Sequence, residues 1–169
     1  LDHAKHDRPK HVRTIRTLRE DGTLWMDRFT IRNLELVQPN HNDGTSLAQT
    51  IDRTGSPMGA RMLRRWLIMP LTDVGGINQR LDAVECLNGD EDLRTGFQAL
   101  FKSTGDLERL ASKASTGRIN PRELGQLRQG LEAVQSIAAL SAGEAPLLPY
   151  LERLTPCDQL LERLRSELV

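Results

Sequence analysis

The sequence predicts a mostly α-helical fold: a bundle-like core of several helices with a small β-hairpin at its N-terminus. Apolar residues make up 38% of the 169-residue chain and aromatic residues 4%, with Leu and Ala prominent. This composition favours helices over strands. Several segments begin with a helix-capping residue and continue with apolar residues three and four positions apart, which is helical spacing. A chain of this length suits one domain, with room for two clusters of core residues.

Residues 1–26 are expected to form an entry segment with two short strands. HVRTIRTL (11–18) alternates loosely between apolar and polar residues, and TLWM (23–26) follows after the turn EDG. The two segments are expected to pair as a hairpin. His3 and His6 have the HxxH spacing of some metal sites, but a solvated terminus is the favoured interpretation.

The helical core domain is assigned to residues 27–156, and its first two helices have clear starts. Asp27 is a candidate N-cap. A loop rich in Pro, Asn, Asp and Gly follows at 38–44. Ser46 with Gln49 three positions later fits a capping box, which predicts another short helix.

The most informative stretch is SPMGARMLRRWLIMPLTD, residues 56–73. Ser56 is suited to cap a helix, and Pro57 to occupy its first position, where a missing N–H costs nothing. Helical spacing places six apolar residues on the core side: Met58, Met62, Leu63, Trp66, Leu67 and Met69. The arginines on the other side are Arg61, Arg64 and Arg65. They are weak candidates for a DNA-phosphate ridge; a solvated face, or pairing with carboxylates of neighbouring helices, is favoured.

Further helices are predicted at 77–88, at 91–102, after Asp106 and after Asn120. Asn120 begins NPREL, which supplies an N-cap, a first-position proline and a reciprocal glutamate. The face predicted for the first of these helices carries Ile77, Leu81 and Val84. The leucines expected in the core of the last two are Leu107, Leu110, Leu127 and Leu131. A final helix is predicted over 157–169, without a closing signal, which suggests that the natural protein continues.

Charge and motifs exclude several function classes. The chain has 23 basic and 23 acidic residues, whereas proteins that grip nucleic acid alone usually carry a basic excess. P-loop, GxGxxG, HExxH and GxSxG patterns do not occur, so no catalytic, cofactor or metal site is expected in this chain. Cys86 and Cys157 lack a CxxC pattern, which indicates free thiols in a reducing cytoplasm. No apolar run is long enough to span a membrane.

Two long motifs resemble the core region, domain III, of the bacterial DNA mismatch-repair MutS family. The first is MDRFTIRNLEL followed by GTSLAQTIDRTGSPMGARMLRRWLIMPLTDVGGINQRLDAVE, and the second is DLERLASKASTGRINPRELGQLRQGL. The resemblance covers residues 11–169. It implies that 1–26 arrive from a connector domain and that 157–169 begin a lever helix leading to a DNA clamp. Full-length members bind mismatched duplex DNA as homodimers and use ATP with Mg²⁺; none of their reading, nucleotide or magnesium residues has a match in this chain.

Two function hypotheses from different classes follow. In the first, the chain is a mechanical and allosteric element that couples an ATPase to mismatch-binding and clamp regions. In the second, it is a free-standing helical module for protein interaction or non-specific DNA binding. The resemblance favours the first, with other MutS domains and DNA as partners of the whole protein.

Overall fold

The computed structural model describes residues 22–155 and 157–168, and this part of the chain is mostly helical, as the sequence predicts. One 3₁₀ turn, Ala145–Leu147, precedes α8. The helices are α1 Arg28–Asn33, α2 Leu47–Ile51, α3 Pro57–Ile68, α4 Val74–Gly89, α5 Glu91–Thr104, α6 Leu107–Ser115, α7 Pro121–Leu140, α8 Leu148–Leu151 and α9 Asp158–Glu167.

Side-chain caps fix most helix starts. Ser56 accepts a hydrogen bond from the Gly59 backbone N–H at the start of α3, and the predicted capping boxes open α2 and α7. α4 begins three residues earlier than predicted, because Asp73 accepts a hydrogen bond from the Gly76 N–H. This cap offsets the low helix propensity of the two glycines in the first turn.

Two separate clusters contain most of the buried apolar residues in the described part of the chain. The first lies among α4, α5 and the 3₁₀ turn and contains Ala83, Leu93, Phe97 and Leu147. The second joins α6, α7 and α9 through Leu110, Leu127 and Leu164, with Leu107 and Leu131 half-buried against it. Because α7 also packs extensively on α5, it connects both clusters along its 20 residues.

The backbone of α7 approaches the end of α5 closely at Gly130. Gly130 of α7 is buried. An added Cβ at this position would lie 2.6 Å from the Thr104 carbonyl oxygen and 2.5 Å from Leu107 Cδ2. Only a residue without a side chain fits this distance. The same glycine therefore sets how near the end of α5 and the start of α6 lie to α7.

The predicted N-terminal hairpin finds no support in the described residues. Its first strand, at 11–18, lies outside them, as do His3 and His6 of the HxxH spacing. Residues 23–26 form no regular strand; Thr23 makes an isolated antiparallel bridge with Leu71, and the Leu24 N–H donates to the Pro70 carbonyl at 2.8 Å. Thr23 therefore pairs with the segment that follows α3.

The expectation that Met62 and Trp66 lie in the core is wrong for this chain. Met62 is 54% exposed and Trp66 39% exposed, and Leu63 and Leu67 are half-buried. Periodicity finds the apolar side of a helix, but it does not reveal whether a neighbour covers that side. α3 packs mainly against the short helix α2, which leaves one edge of its apolar side open. Leu81 and Val84 likewise lie on the predicted apolar face of α4, and both are exposed.

Candidate functional site

The arginine side of α3 forms an ion-pair junction with the start of α6. Arg61 Nη1 and Nη2 donate to the two carboxylate oxygens of Asp106 at 3.0 and 2.7 Å. Its Nε donates to Glu108 Oε2 at 2.9 Å. A guanidinium that donates in parallel to one carboxylate is held in orientation as well as in position. We call these three residues the Arg61 junction.

Asp106 serves two structures at once. Its Oδ1 also accepts a hydrogen bond from the Arg109 backbone N–H at 3.2 Å, which caps α6. The hydrogen bonds from Arg61 and this cap hold the pKa of Asp106 below its ordinary value of 3.8. The carboxylates of Asp106 and Glu108 in turn raise the pKa of Arg61. The guanidinium of Arg61 therefore stays charged and bound to the carboxylates at the start of α6.

The Arg61 junction predicts an acid-sensitive contribution to stability. A carboxyl with a lowered folded-state pKa stabilises the fold at every pH above its unfolded value, near 3.8, and this contribution is lost as pH falls through the folded-state pKa. Asp106→Asn removes the charge but retains a capping side chain. We expect this variant to melt below the wild type at neutral pH, and the difference to vanish in acid. Thermal melts from neutral pH to below the folded-state pKa measure this; a difference that stays constant contradicts it.

A second junction ties α6 to α7. Glu123 accepts a hydrogen bond from Lys113 Nζ, and Arg109 Nη1 lies 3.7 Å from the same carboxylate oxygen. Its other oxygen accepts from the Asn120 N–H in the capping box of α7. Lys113, followed by Asn120 and Arg109, holds the pKa of Glu123 below its ordinary value. Ion pairs thus tie α6 to α3 on one side and to α7 on the other.

The three candidate DNA-binding arginines do not form one ridge. Arg61 turns towards α6, whereas Arg64 lies near Asp52. Hydrogen bonds from Thr54 chiefly lower the pKa of Asp52, and the charge of Arg64 adds to the effect. Arg64 and Arg65 are both exposed. Arg61 and Arg64 thus lie beside carboxylates in different parts of the chain. This favours a structural role for Arg61 over contact with DNA phosphates.

One contact joins α3 to α4 and was not foreseen from the sequence. The guanidinium carbon of Arg80 lies 3.8 Å from the centre of the Trp66 ring, a cation–π contact. The two residues belong to different helices, so no periodic pattern relates them. The only sequence signal is the presence of an arginine on the predicted apolar face of α4.

The cavities and the titratable side chains of the described residues give little indication of a catalytic or metal-binding site. A cavity of about 170 Å³ lies between α7, the segment after α8 and the start of α9, and apolar side chains such as Val134, Leu154 and Leu161 line it. Within residues 22–155 and 157–168, no group of three or more His, Cys, Asp or Glu side chains is placed to hold a metal ion. Cys86 and Cys157 are both free. Among the described helices, none is long and apolar enough to cross a membrane.

Comparisons with known proteins point to one family. A family model described as MutS domain III matches residues 29–168. The chain is 40% identical to the DNA mismatch repair protein MutS of Cytophaga hutchinsonii and 38% identical to that of Parabacteroides distasonis, over 99% of this chain in both cases. The MutS protein of Phocaeicola vulgatus is 40% identical over a similar share. The chain spans about a fifth of the length of these relatives: 20%, 20% and 19%.

Proposed function

The chain belongs to the MutS family as its domain III, and from that premise we propose that it couples an ATPase to mismatch-binding and clamp regions located elsewhere in a longer polypeptide. In this proposal residues 1–26 arrive from a connector domain and residues 157–169 begin a lever helix. The whole protein is a cytoplasmic, homodimeric DNA mismatch-repair protein that binds mismatched duplexes and uses ATP with Mg²⁺. In this proposal the catalytic and cofactor-binding residues belong to other parts of the longer polypeptide.

The continuity of the helix contacts carries this proposal. α9 packs on α7, α7 packs on α5 and α6, and α5 packs on α4. The Arg61 junction adds α3, and Glu123 fixes α6 to α7. Packed helices and oriented ion pairs therefore connect α9 to α3 and α4 without a break, which supports a role in transmitting a conformational change.

The parent protein provides the direct test. We expect Arg61→Gln to weaken the effect of ATP on mismatch affinity, because it loosens α3 from α6. ATP hydrolysis without DNA and mismatch binding without nucleotide should stay near wild-type values. Arg64→Gln, on the same helix but outside the Arg61 junction, is the matched control. If ATP shifts mismatch affinity equally in wild type and Arg61→Gln, the Arg61 junction plays no part in coupling.

A domain that couples other regions is not expected to recognise mismatched DNA by itself. We expect the isolated chain to bind mismatched and matched duplexes equally weakly, no better than the ~10⁻⁴–10⁻⁶ M typical of non-specific contacts at physiological salt. The balanced charge and the commitment of Arg61 to carboxylates are the physical reasons. Fluorescence anisotropy with a G·T duplex and its matched control measures this. A clear preference for the mismatch would favour the DNA-binding alternative.

A further inference from the structure

Residues 22–155 and 157–168 leave an apolar surface across α3 and α4 uncovered. It consists of Met62 and Trp66 from α3 and of Ile77, Leu81 and Val84 from α4, and Leu81 is 58% exposed. The α4 residues are four and three positions apart and so share one side of the helix. The contact of Arg80 with Trp66 places that side beside α3. We call these five residues the α3–α4 face.

The α3–α4 face is separate from the surfaces that the described fold already uses. α4 contributes Ala83 to the first core cluster, with Cys86 and Leu87 packed against it. Ile77, Leu81 and Val84 lie on another side of the same helix and remain exposed. Single exposed apolar side chains are normal on protein surfaces, but contiguous groups of this kind mark interaction sites.

We propose that the α3–α4 face binds an amphipathic helix from a part of the same polypeptide outside these 169 residues, and that a carboxylate on this helix pairs with Arg80. The proposal rests on the proposed function, because it identifies where the coupling element receives another part of the protein. Relatives of this chain are about five times as long, since the chain covers 20% of their length. An occupant within the same polypeptide also has a high effective concentration, so an interface of modest size can remain closed.

The chemistry of Arg80 specifies the charge of the occupant. Its guanidinium lies over the Trp66 ring, and the described residues place no carboxylate at ion-pair distance from it. A guanidinium stacked on an aromatic ring keeps its N–H groups directed outward in its own plane. At the edge of an apolar surface these donors favour a carboxylate, which fixes the register of the incoming helix.

Cysteine labelling compares the isolated chain with the parent protein. Leu81→Cys lies on the α3–α4 face, and Asp82→Cys is an exposed neighbour on a different side of α4. A maleimide is added to each variant, and modification at each position is followed by mass spectrometry of its peptide. We expect the cysteine at 81 to react about tenfold more slowly in the parent than in the isolated chain, equivalent to about 1.4 kcal/mol of protection, and the cysteine at 82 to react at similar rates in both.

The outcomes separate the possible occupants. Equal labelling of position 81 in the parent and the isolated chain overturns the proposal. Protection that disappears when the parent is diluted also overturns it, because the occupant is then a second copy. Protection that is retained while Arg61→Gln leaves coupling to ATP unchanged supports the docking surface and contradicts the proposed coupling through the Arg61 junction. The two proposals can therefore fail independently.

A second variant tests whether the positive charge of Arg80 is needed for the incoming helix to bind. Arg80→Gln keeps much of the side chain and removes the positive charge, so we expect it to restore fast labelling of Leu81→Cys in the parent. Arg118→Gln, at an exposed arginine between α6 and α7, should leave the protection intact. The thermal midpoint of the isolated Arg80→Gln chain verifies that it is folded. Undiminished protection in a folded Arg80→Gln parent refutes the pairing with a carboxylate.

Discussion

Gly130→Ala is expected to destabilise the fold. The added methyl group would lie 2.6 Å from the Thr104 carbonyl oxygen and 2.5 Å from Leu107 Cδ2. A backbone oxygen cannot rotate away, so α5 and α7 must separate along their contact. Overpacking of this kind costs about 1–3 kcal/mol, occasionally more, and exceeds the helix propensity of about 1 kcal/mol that alanine gains over glycine. The difference is a net loss of up to about 2 kcal/mol, which lowers the thermal midpoint by up to about 4–8 °C in a chain of this size.

Gly125→Ala on the same helix is the matched control. A Cβ at this position meets nothing within 4 Å. The substitution therefore gains helix propensity without a clash, and we expect it to stabilise the chain by about 0.5–1 kcal/mol. Opposite signs for the two variants would locate the effect in the contact between α5 and α7. Two stabilising variants would show that α7 lies farther from α5 than described.

Leu110→Ala is expected to have the largest effect among single truncations in the second core cluster. Leu110 is 2% exposed and packs with Leu127 and Leu164, so it joins α6, α7 and α9. Truncation of a buried leucine costs about 2–5 kcal/mol, from lost transfer free energy and the cavity left behind. Chemical denaturation measures the loss through the free energy of unfolding.

Leu81→Ala removes the same atoms from an exposed position and serves as the control. Since Leu81 is 58% exposed in this chain, the cost should fall within the ~0.5 kcal/mol typical of surface substitutions. Equal losses for Leu110→Ala and Leu81→Ala would mean that the burial of Leu110 is not what stabilises the chain.

Local signals predict helix starts well because a cap involves residues three positions apart. Ser56 and Asn120 cap α3 and α7 as predicted, and the spacing of Leu110 and Leu127 indicates positions that are buried. The same spacing misplaces Trp66, since its burial depends on a neighbour that the described residues do not supply. The start of α4 was missed because the glycines after Asp73 conceal a capped first turn.

Contacts between distant segments are less predictable from a single sequence. Arg61 and Asp106 are 45 positions apart. The sequence favours pairing of α3 arginines with carboxylates of a neighbouring helix as one interpretation, but it does not identify the partner helix. Nothing in the sequence marks Gly130 as a point of close approach or Arg80 as a partner of Trp66. These features arise from how the helices cross, which propensity and periodicity do not encode.

Asp106 and Glu123 each make two kinds of contact, and these contacts link the opening of α6 to that of α7. Each carboxylate accepts a capping hydrogen bond at the start of a helix and also holds a cation from another helix. If α6 detaches from α3 or α7, the released side chains lose the partners that orient them for capping, and fraying then weakens the remaining contacts. Opening of α6 is therefore cooperative with the first turn of α7. Amide hydrogens of α6 and of the first turn of α7 should exchange together, as one unit with a shared opening free energy.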